Sequence, residues 1–294
     1  MALTTSIIAG SVAGLFGLWS NKERLLFAPS LQVSVSPRYI GMQFENVHML
    51  YSSSDKTIKV IHGWYVPSEY IQCGIKHDPK DHWTILHVHS HTGNVGDRLP
   101  FLSFVRKFMP WCSVLLFDYR GFGTLGSSDT PPSIVECHES TWQAYKWLLT
   151  EKRVSPNRLL IWGESTGCFF ASYLLSHYVA GPVGGIVLQS PMPDMLHWVS
   201  TTWSKYLLNT VNIAIPNDLI ISDFITEISE RGTPVIVLHG QHDKVVPLKL
   251  VECLVDKVDK FVTLSGGHDD PLMEDSLSVL NALGSIMTLA NEKS

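Results

Sequence analysis

Short apolar runs alternate with helix-like stretches along most of this 294-residue chain, and that alternation limits its fold more than any other feature. Residues 83–89, 113–118, 158–162, 184–189 and 234–239 are runs of five to seven residues with almost no interruption by charge. Strands covered on only one face alternate apolar and polar residues, whereas parallel strands covered on both faces read as continuous apolar runs. Between them, residues 97–108, 134–150, 165–179, 218–230, 248–256 and 270–289 carry helical patterning. The alternation predicts a doubly wound α/β domain with a mostly parallel central sheet and helices on both faces. Ahead of it, residues 43–51 and 57–66 alternate like the two arms of a hairpin joined by a Ser-Ser-Ser-Asp turn. Residues 191–216 break the rhythm and carry Trp198, Trp203 and Tyr206; they are expected to form a small cap.

Composition removes several function classes. Hydrophobic residues make up 45% and charged residues 17%, which is incompatible with a disordered chain. Twenty-two basic against 27 acidic residues leave a net charge of -5, so no basic face is available for nucleic-acid phosphates. The five cysteines, Cys73, Cys112, Cys137, Cys168 and Cys253, are scattered and form no CxxC pair. They read as reduced thiols, not as a disulfide framework or a zinc site.

The first 24 residues form a separate unit. Residues 4–19 carry no charge and are followed by Lys22 and Arg24. As a helix rising 1.5 Å per residue the run would span roughly 24 Å, against about 30 Å of hydrocarbon. A cleaved signal peptide, a hydrophobic helix docked on the body and a membrane anchor are the three readings. The anchor is favoured, because no basic region precedes the run and only small residues interrupt it. Lys22 and Arg24 would then keep the body, residues 25–294, on the cytoplasmic side.

The chemical signal is Gly163-Glu164-Ser165-Thr166-Gly167, between an apolar strand and a helix that begins with Cys168-Phe169-Phe170. In that context G-x-S-x-G marks a nucleophile elbow, a sharp strand-to-helix turn that lifts a serine above the sheet. A serine hydroxyl needs a histidine base, and that base needs a carboxylate to fix its tautomer. Asp243, in His239-Gly240-Gln241-His242-Asp243-Lys244-Val245-Val246-Pro247, and His268, in Gly266-Gly267-His268-Asp269-Asp270, follow in the order this fold uses. Both lie just past strand-like runs, where open α/β sheets place their sites. Asp194 is the reserve for the acid.

Three other patterns have weaker readings. His87, His89 and His91 alternate, so on a strand they would share a face, as in a metal site, and a metal-dependent hydrolase is a minor alternative. Gly121-Phe122-Gly123-Thr124-Leu125-Gly126 matches a dinucleotide fingerprint in letters, but Ser127 to Pro132 do not open the helix that fingerprint requires. Asp118, at the end of a strand, reads as structural.

Together these segments resemble the α/β-hydrolases, and within them the group of α/β hydrolase domain-containing proteins 13 and 17. The likeness is carried by Arg24-Leu25-Leu26-Phe27-Ala28-Pro29, Phe117-Asp118-Tyr119-Arg120-Gly121-Phe122-Gly123, the GESTG elbow, the HGQHDKVVP segment and the GGHDD segment. A lysophospholipase branch with a similar Trp-Gly-x-Ser elbow is close behind. The resemblance implies Ser165 as nucleophile, Asp243 as acid, His268 as general base and no cofactor or metal. It also implies an oxyanion hole made by the backbone N–H groups of His91 and Thr166. Where the family shows His-Gly-Asn-x-Gly-Asn, this chain reads His89-Ser90-His91-Thr92-Gly93-Asn94, with a β-carbon at Ser90 where the backbone must pass closely. Cleavage of acyl esters or thioesters is the expected activity, on a lysophospholipid, an acylglycerol or a protein palmitoyl thioester. A catalytically silent scaffold that binds a partner is the alternative from a different class. The sequence does not bear on oligomeric state.

Overall fold

The computed structural model describes residues 26–53, 56–75, 82–123, 131–195, 220–269 and 271–292. The hydrophobic segment over residues 1–24 and nearly all of the expected cap over 191–216 lie outside the described residues. No helix among the described residues is long and apolar enough to cross a membrane.

The described residues contain ten strands: β1 (Ala28–Pro29), β2 (Glu45–Ser52), β3 (Ile58–Val66), β4 (Trp83–Val88), β5 (Thr92–Gly93), β6 (Cys112–Phe117), β7 (Leu159–Glu164), β8 (Gly185–Gln189), β9 (Val235–Gly240) and β10 (Lys260–Leu264). Eight of them build one sheet in the order β10-β9-β8-β7-β4-β6-β3-β2. From β10 to β6 all pairings are parallel; β3 lies antiparallel to both β6 and β2. The mostly parallel sheet is the one the apolar runs predict. β2 is an edge strand and alternates, with Val47, Met49 and Tyr51 buried between exposed neighbours. β4, β6, β8 and β9 are buried at every position.

Five longer helices cover the two faces: α1 (Leu99–Phe108), α2 (Ile134–Thr150), α3 (Gly167–Tyr173), α4 (Ile221–Glu230) and α5 (Ser276–Glu292). On one side Leu86, Val88, Ile161, Leu188 and Val237 pack with α2, α3 and α4. On the other Ile85, Leu160, Trp162, Val187 and Ile236 pack with α1 and α5. Consecutive strand residues thus enter opposite cores, which is why the runs show no polar alternation.

Local chemistry sets several boundaries away from the expected ones. The stretch over 97–108 begins as a 3-10 turn, Val95–Arg98, closed by a capping box between Asn94 and Asp97. The α-helix proper then starts with Pro100 in its first turn. The stretch over 165–179 becomes helical only at Gly167 and ends in a π-helical turn, Leu174–Tyr178. Residues 248–256 divide into one α-turn, Leu248–Val251, and a 3-10 segment, Glu252–Lys257. The sequence reading does not contain the β1–β5 pair, a two-residue parallel contact between Ala28–Pro29 and Thr92–Gly93.

Candidate active site

Strand β7 delivers Ser165 in a conformation that L-residues rarely adopt. Its φ is +53°, and its N–H donates to the carbonyl of Gln189 at 2.8 Å, which fixes the turn against β8. The turn closes only because its flanks are glycine. A β-carbon on Gly163 would come within 2.7 Å of the Cα of Cys168, and one on Gly167 would sit 2.6 Å from the carbonyl oxygen of His89. Helix α3 therefore packs directly on the end of β4. Cys168 is buried, with its thiol within reach of the carbonyls of Gly163 and Gln189.

Two loops from strands further along the sheet, β9 and β10, reach the serine. Asp243 follows β9 and His268 follows β10. The Nε2 of His268 lies 3.0 Å from Ser165 Oγ, and its Nδ1 lies 2.7 Å from Asp243 Oδ2. The other carboxylate oxygen of Asp243 accepts the backbone N–H groups of Val245 and Val246, both at 2.8 Å. Burial works against the charge on Asp243, but these hydrogen bonds and the two facing imidazoles hold its carboxyl below the usual range. Burial also opposes charge on His268, yet the bond and charge of Asp243 outweigh it and raise the imidazole above its ordinary value. An ionised Asp243 takes the Nδ1 hydrogen, leaving Nε2 as the acceptor for the serine hydroxyl. Ser190, also at positive φ (+48°), donates its hydroxyl to the His268 carbonyl at 3.2 Å and ties that loop to β8. Asp194, the reserve acid, forms an isolated backbone bridge with Ile220, while Asp243 holds the imidazole.

The segment that departs from the family pattern is pinned by side chains. Arg98 donates to Glu164 Oε1 at 2.7 Å, to the Thr92 carbonyl at 2.7 Å and to Ser90 Oγ at 3.2 Å. Ser90 Oγ also meets Thr92 Oγ1 at 3.1 Å. The hydroxyl of Ser90 is thus one of the anchors of the loop. Glu164 is largely withdrawn from solvent, which raises its pKa, while the Arg98 guanidinium draws it down. Neither Arg98 nor Glu164 received a role from the sequence. An acidic residue just after a fully apolar strand run, 159–162, was the available signal.

The amide of His91 differs from its expected role. Its N–H donates to Thr166 Oγ1 at 2.7 Å and so does not point freely at the space above Ser165. The Thr166 side chain, at the N-cap position of α3, reaches across and occupies it. The shared histidine face is also absent. His87 stacks on Phe101 (ring centroids 4.1 Å apart) in one core, whereas His89 lies against Tyr119 (4.3 Å) in the other. β4 ends at Val88, so the strand alternation stops between them. No cluster of metal-ligating side chains occurs among the described residues. Asp118 accepts the Val95 N–H at 2.8 Å and carries a pKa pushed up to about 7 by burial, in keeping with a structural place.

A cavity of about 240 Å³ adjoins this arrangement, lined on its polar side by His87, Arg98, Glu164 and Asp269 and on its apolar side by Phe101 and Leu272. Comparison with known proteins bears on the fold. Residues 136–266 match the prolyl oligopeptidase family, a span that holds Ser165 and Asp243. A solved esterase from Pyrococcus furiosus superimposes with a TM-score of 0.63 at 17% identity, over 90% of this chain and 97% of that one. An α/β hydrolase from Vibrio vulnificus gives 0.61 at 16% identity, over 86% and 82%. The chain is an α/β-hydrolase by fold. Among relatives by sequence, the human α/β hydrolase domain-containing protein 17C is 25% identical over 206 residues, 68% of this chain and 56% of that protein. An uncharacterised protein of Mycobacterium tuberculosis is 27% identical over 281 residues, 92% of this chain and 89% of that one. This α/β-hydrolase fold thus carries Ser165, His268 and Asp243 on the loops after β7, β10 and β9, at the C-terminal edge of its parallel strands.

Proposed function

We propose that this protein is a serine hydrolase that cleaves acyl esters or thioesters through a covalent acyl-enzyme. The observation that carries the reading is the continuous chain Ser165 Oγ to His268 Nε2, His268 Nδ1 to Asp243 Oδ2, at 3.0 and 2.7 Å. In the first step His268 takes the hydroxyl proton as Ser165 Oγ bonds to the acyl carbon. The electron pair of the C=O moves onto oxygen, and the N-terminus of α3 stabilises the charge. Collapse expels the alkoxide or thiolate, which receives the proton from His268. Water then loses a proton to the same imidazole, attacks the acyl-serine and releases the acid, and His268 returns the proton to Ser165.

The cavity beside the triad supports an acyl substrate, since Phe101, Phe104, Leu272 and Met273 give it an apolar wall. A hydrophobic anchor over residues 1–24 would hold such a site at a membrane surface with the body facing the cytoplasm. The match to the prolyl oligopeptidase family makes an amide bond the other acyl linkage to include in a substrate panel.

The test is labelling by a fluorophosphonate probe of the intact chain and of Ser165→Ala. Labelling of the first and none of the second is the expected result. Absence of labelling in folded wild-type protein removes the reading and leaves the partner-binding scaffold, which the occupied His91 amide favours.

The pH dependence has a definite sign. Only neutral His268 can accept the serine proton, and its folded pKa is raised. The value of kcat/KM for an ester therefore rises with pH through an apparent pKa above the ordinary ~6.5 of histidine and then levels off. A pH–rate profile whose acid limb falls below that value would remove His268 as the base.

A further inference from the structure

The resting geometry raises the question of which groups stabilise the oxyanion, because the amide expected to do so is already bonded. His91 N–H donates to Thr166 Oγ1 at 2.7 Å, a full hydrogen bond between the two residues that should converge on the oxyanion. Both lie in the wall of the site: Thr166 is buried one residue beyond the nucleophile, and His91 is held by the Ala28 amide bonded to its carbonyl at 2.9 Å. The neighbouring loop is tied down by Arg98 through Thr92 and Ser90, so His91 cannot retreat without breaking those bonds.

The geometry points to the Thr166 hydroxyl as a donor of the oxyanion hole, standing in for the His91 amide, which is used to orient it. The inference rests on the serine-hydrolase reading above. A hydroxyl has one hydrogen and two lone pairs. Here one lone pair receives the His91 N–H, so the hydrogen must point elsewhere. Its nearest ring acceptor is His91 Nδ1 at 3.3 Å, a long contact that an anion easily outcompetes. That imidazole stays neutral at working pH, since burial, His268 and Arg98 push it down to about 4, and so it places no positive charge of its own in the hole. Polarised by the amide behind it, the Thr166 hydroxyl would rotate its hydrogen onto the substrate oxygen as charge develops there. The same residue then supplies two donors, its backbone N–H at the start of α3 and its Oγ–H. No bond of the protein is made or broken beyond these hydrogen bonds.

The alternative is that the hydroxyl is a plug that swings away and frees the His91 amide for direct use. The two arrangements predict opposite effects of Thr166→Val, which keeps the β-branched shape and removes the hydroxyl. The probe substrate is p-nitrophenyl butyrate, with fluorophosphonate labelling rate as a second readout. The inference expects kcat to fall by about 10²-fold with KM little changed, because the lost bond exists only in the transition state. Thr166→Ser, which retains the hydroxyl, is expected to stay near wild type. Both variants should keep the wild-type acid limb of the pH profile, since His268 is untouched. An unchanged or raised kcat in Thr166→Val, or an equal loss in Thr166→Ser, overturns the inference. With a wild type that labels and a Ser165→Ala that does not, an overturning result at Thr166 removes this inference alone; a wild type that neither labels nor hydrolyses the ester removes the proposed function with it.

Discussion

His268→Ala is expected to lower kcat on the order of 10⁶-fold on a short acyl ester, and adding Ser165→Ala to it is expected to cost almost nothing more. The reason is the single chain of bonds through the two side chains. A proton leaves Ser165 Oγ only if His268 Nε2, 3.0 Å away, is there to receive it. Without the imidazole the hydroxyl is left at its ordinary acidity, and without the hydroxyl the imidazole has nothing to activate except water. Groups that act as one unit are non-additive in this way, and a single removal forfeits about the whole effect. A residual rate above water, roughly 10³–10⁴-fold, is expected to survive from oxyanion stabilisation and binding. The measurement is kcat for both single variants and the double variant, with thermal unfolding to show that all three remain folded. Multiplicative losses in the double variant would mean that the two residues act separately, which would sink the shared proton transfer.

The largest stability effect is expected at a glycine with no chemical role. A methyl on Gly167 would meet the carbonyl oxygen of Val88 inside contact distance and that of His89 at 2.6 Å. Those oxygens belong to the end of a central strand, and neither is the end of a flexible side chain. Overpacking a core costs about 1–3 kcal/mol where side chains can yield, and here the backbone of β4 or the whole of α3 must move. Gly167→Ala is therefore expected to cost at least about 3 kcal/mol, which corresponds to a fall in Tm of roughly 6–12 °C. Gly181→Ala is the control, since a β-carbon there meets nothing within 4 Å. It should be neutral or slightly stabilising through the unfolded chain. Differential scanning calorimetry reads both, and a Gly167→Ala variant that melts with the wild type would refute the close approach.

What the sequence revealed about the site follows from distance along the chain. The elbow is legible because strand, turn and helix are contiguous, so five letters in the right context describe a three-dimensional object. Asp243 and His268 are legible by order, each on a loop after an apolar run. The Arg98–Glu164 pair joins residues 66 apart, and nothing local marks either as the other's partner. The His91–Thr166 bond spans 75 residues and depends on a side chain whose rotamer no periodicity encodes. The expectation for the histidines failed for a related reason. Alternation assigns a common face only while the strand continues, and β4 stops at Val88, between His87 and His89. The helix limits moved where a cap, a proline or the strained serine decided the first turn, as at Asn94, Pro100 and Ser165.

The order in which the sheet receives its strands also bears on the protein's birth. The serine lies 103 residues ahead of its base, and β9 and β10 join the sheet only after β7 and β8 are in place along the chain. At translation speeds of about 5–20 residues per second, roughly 5–20 s separate synthesis of the elbow from synthesis of His268. Throughout that interval the nascent polypeptide carries a serine with nothing to ionise it. Until His268 is made, the chain on the ribosome holds Ser165 without the imidazole that lies 3.0 Å from it in the folded protein.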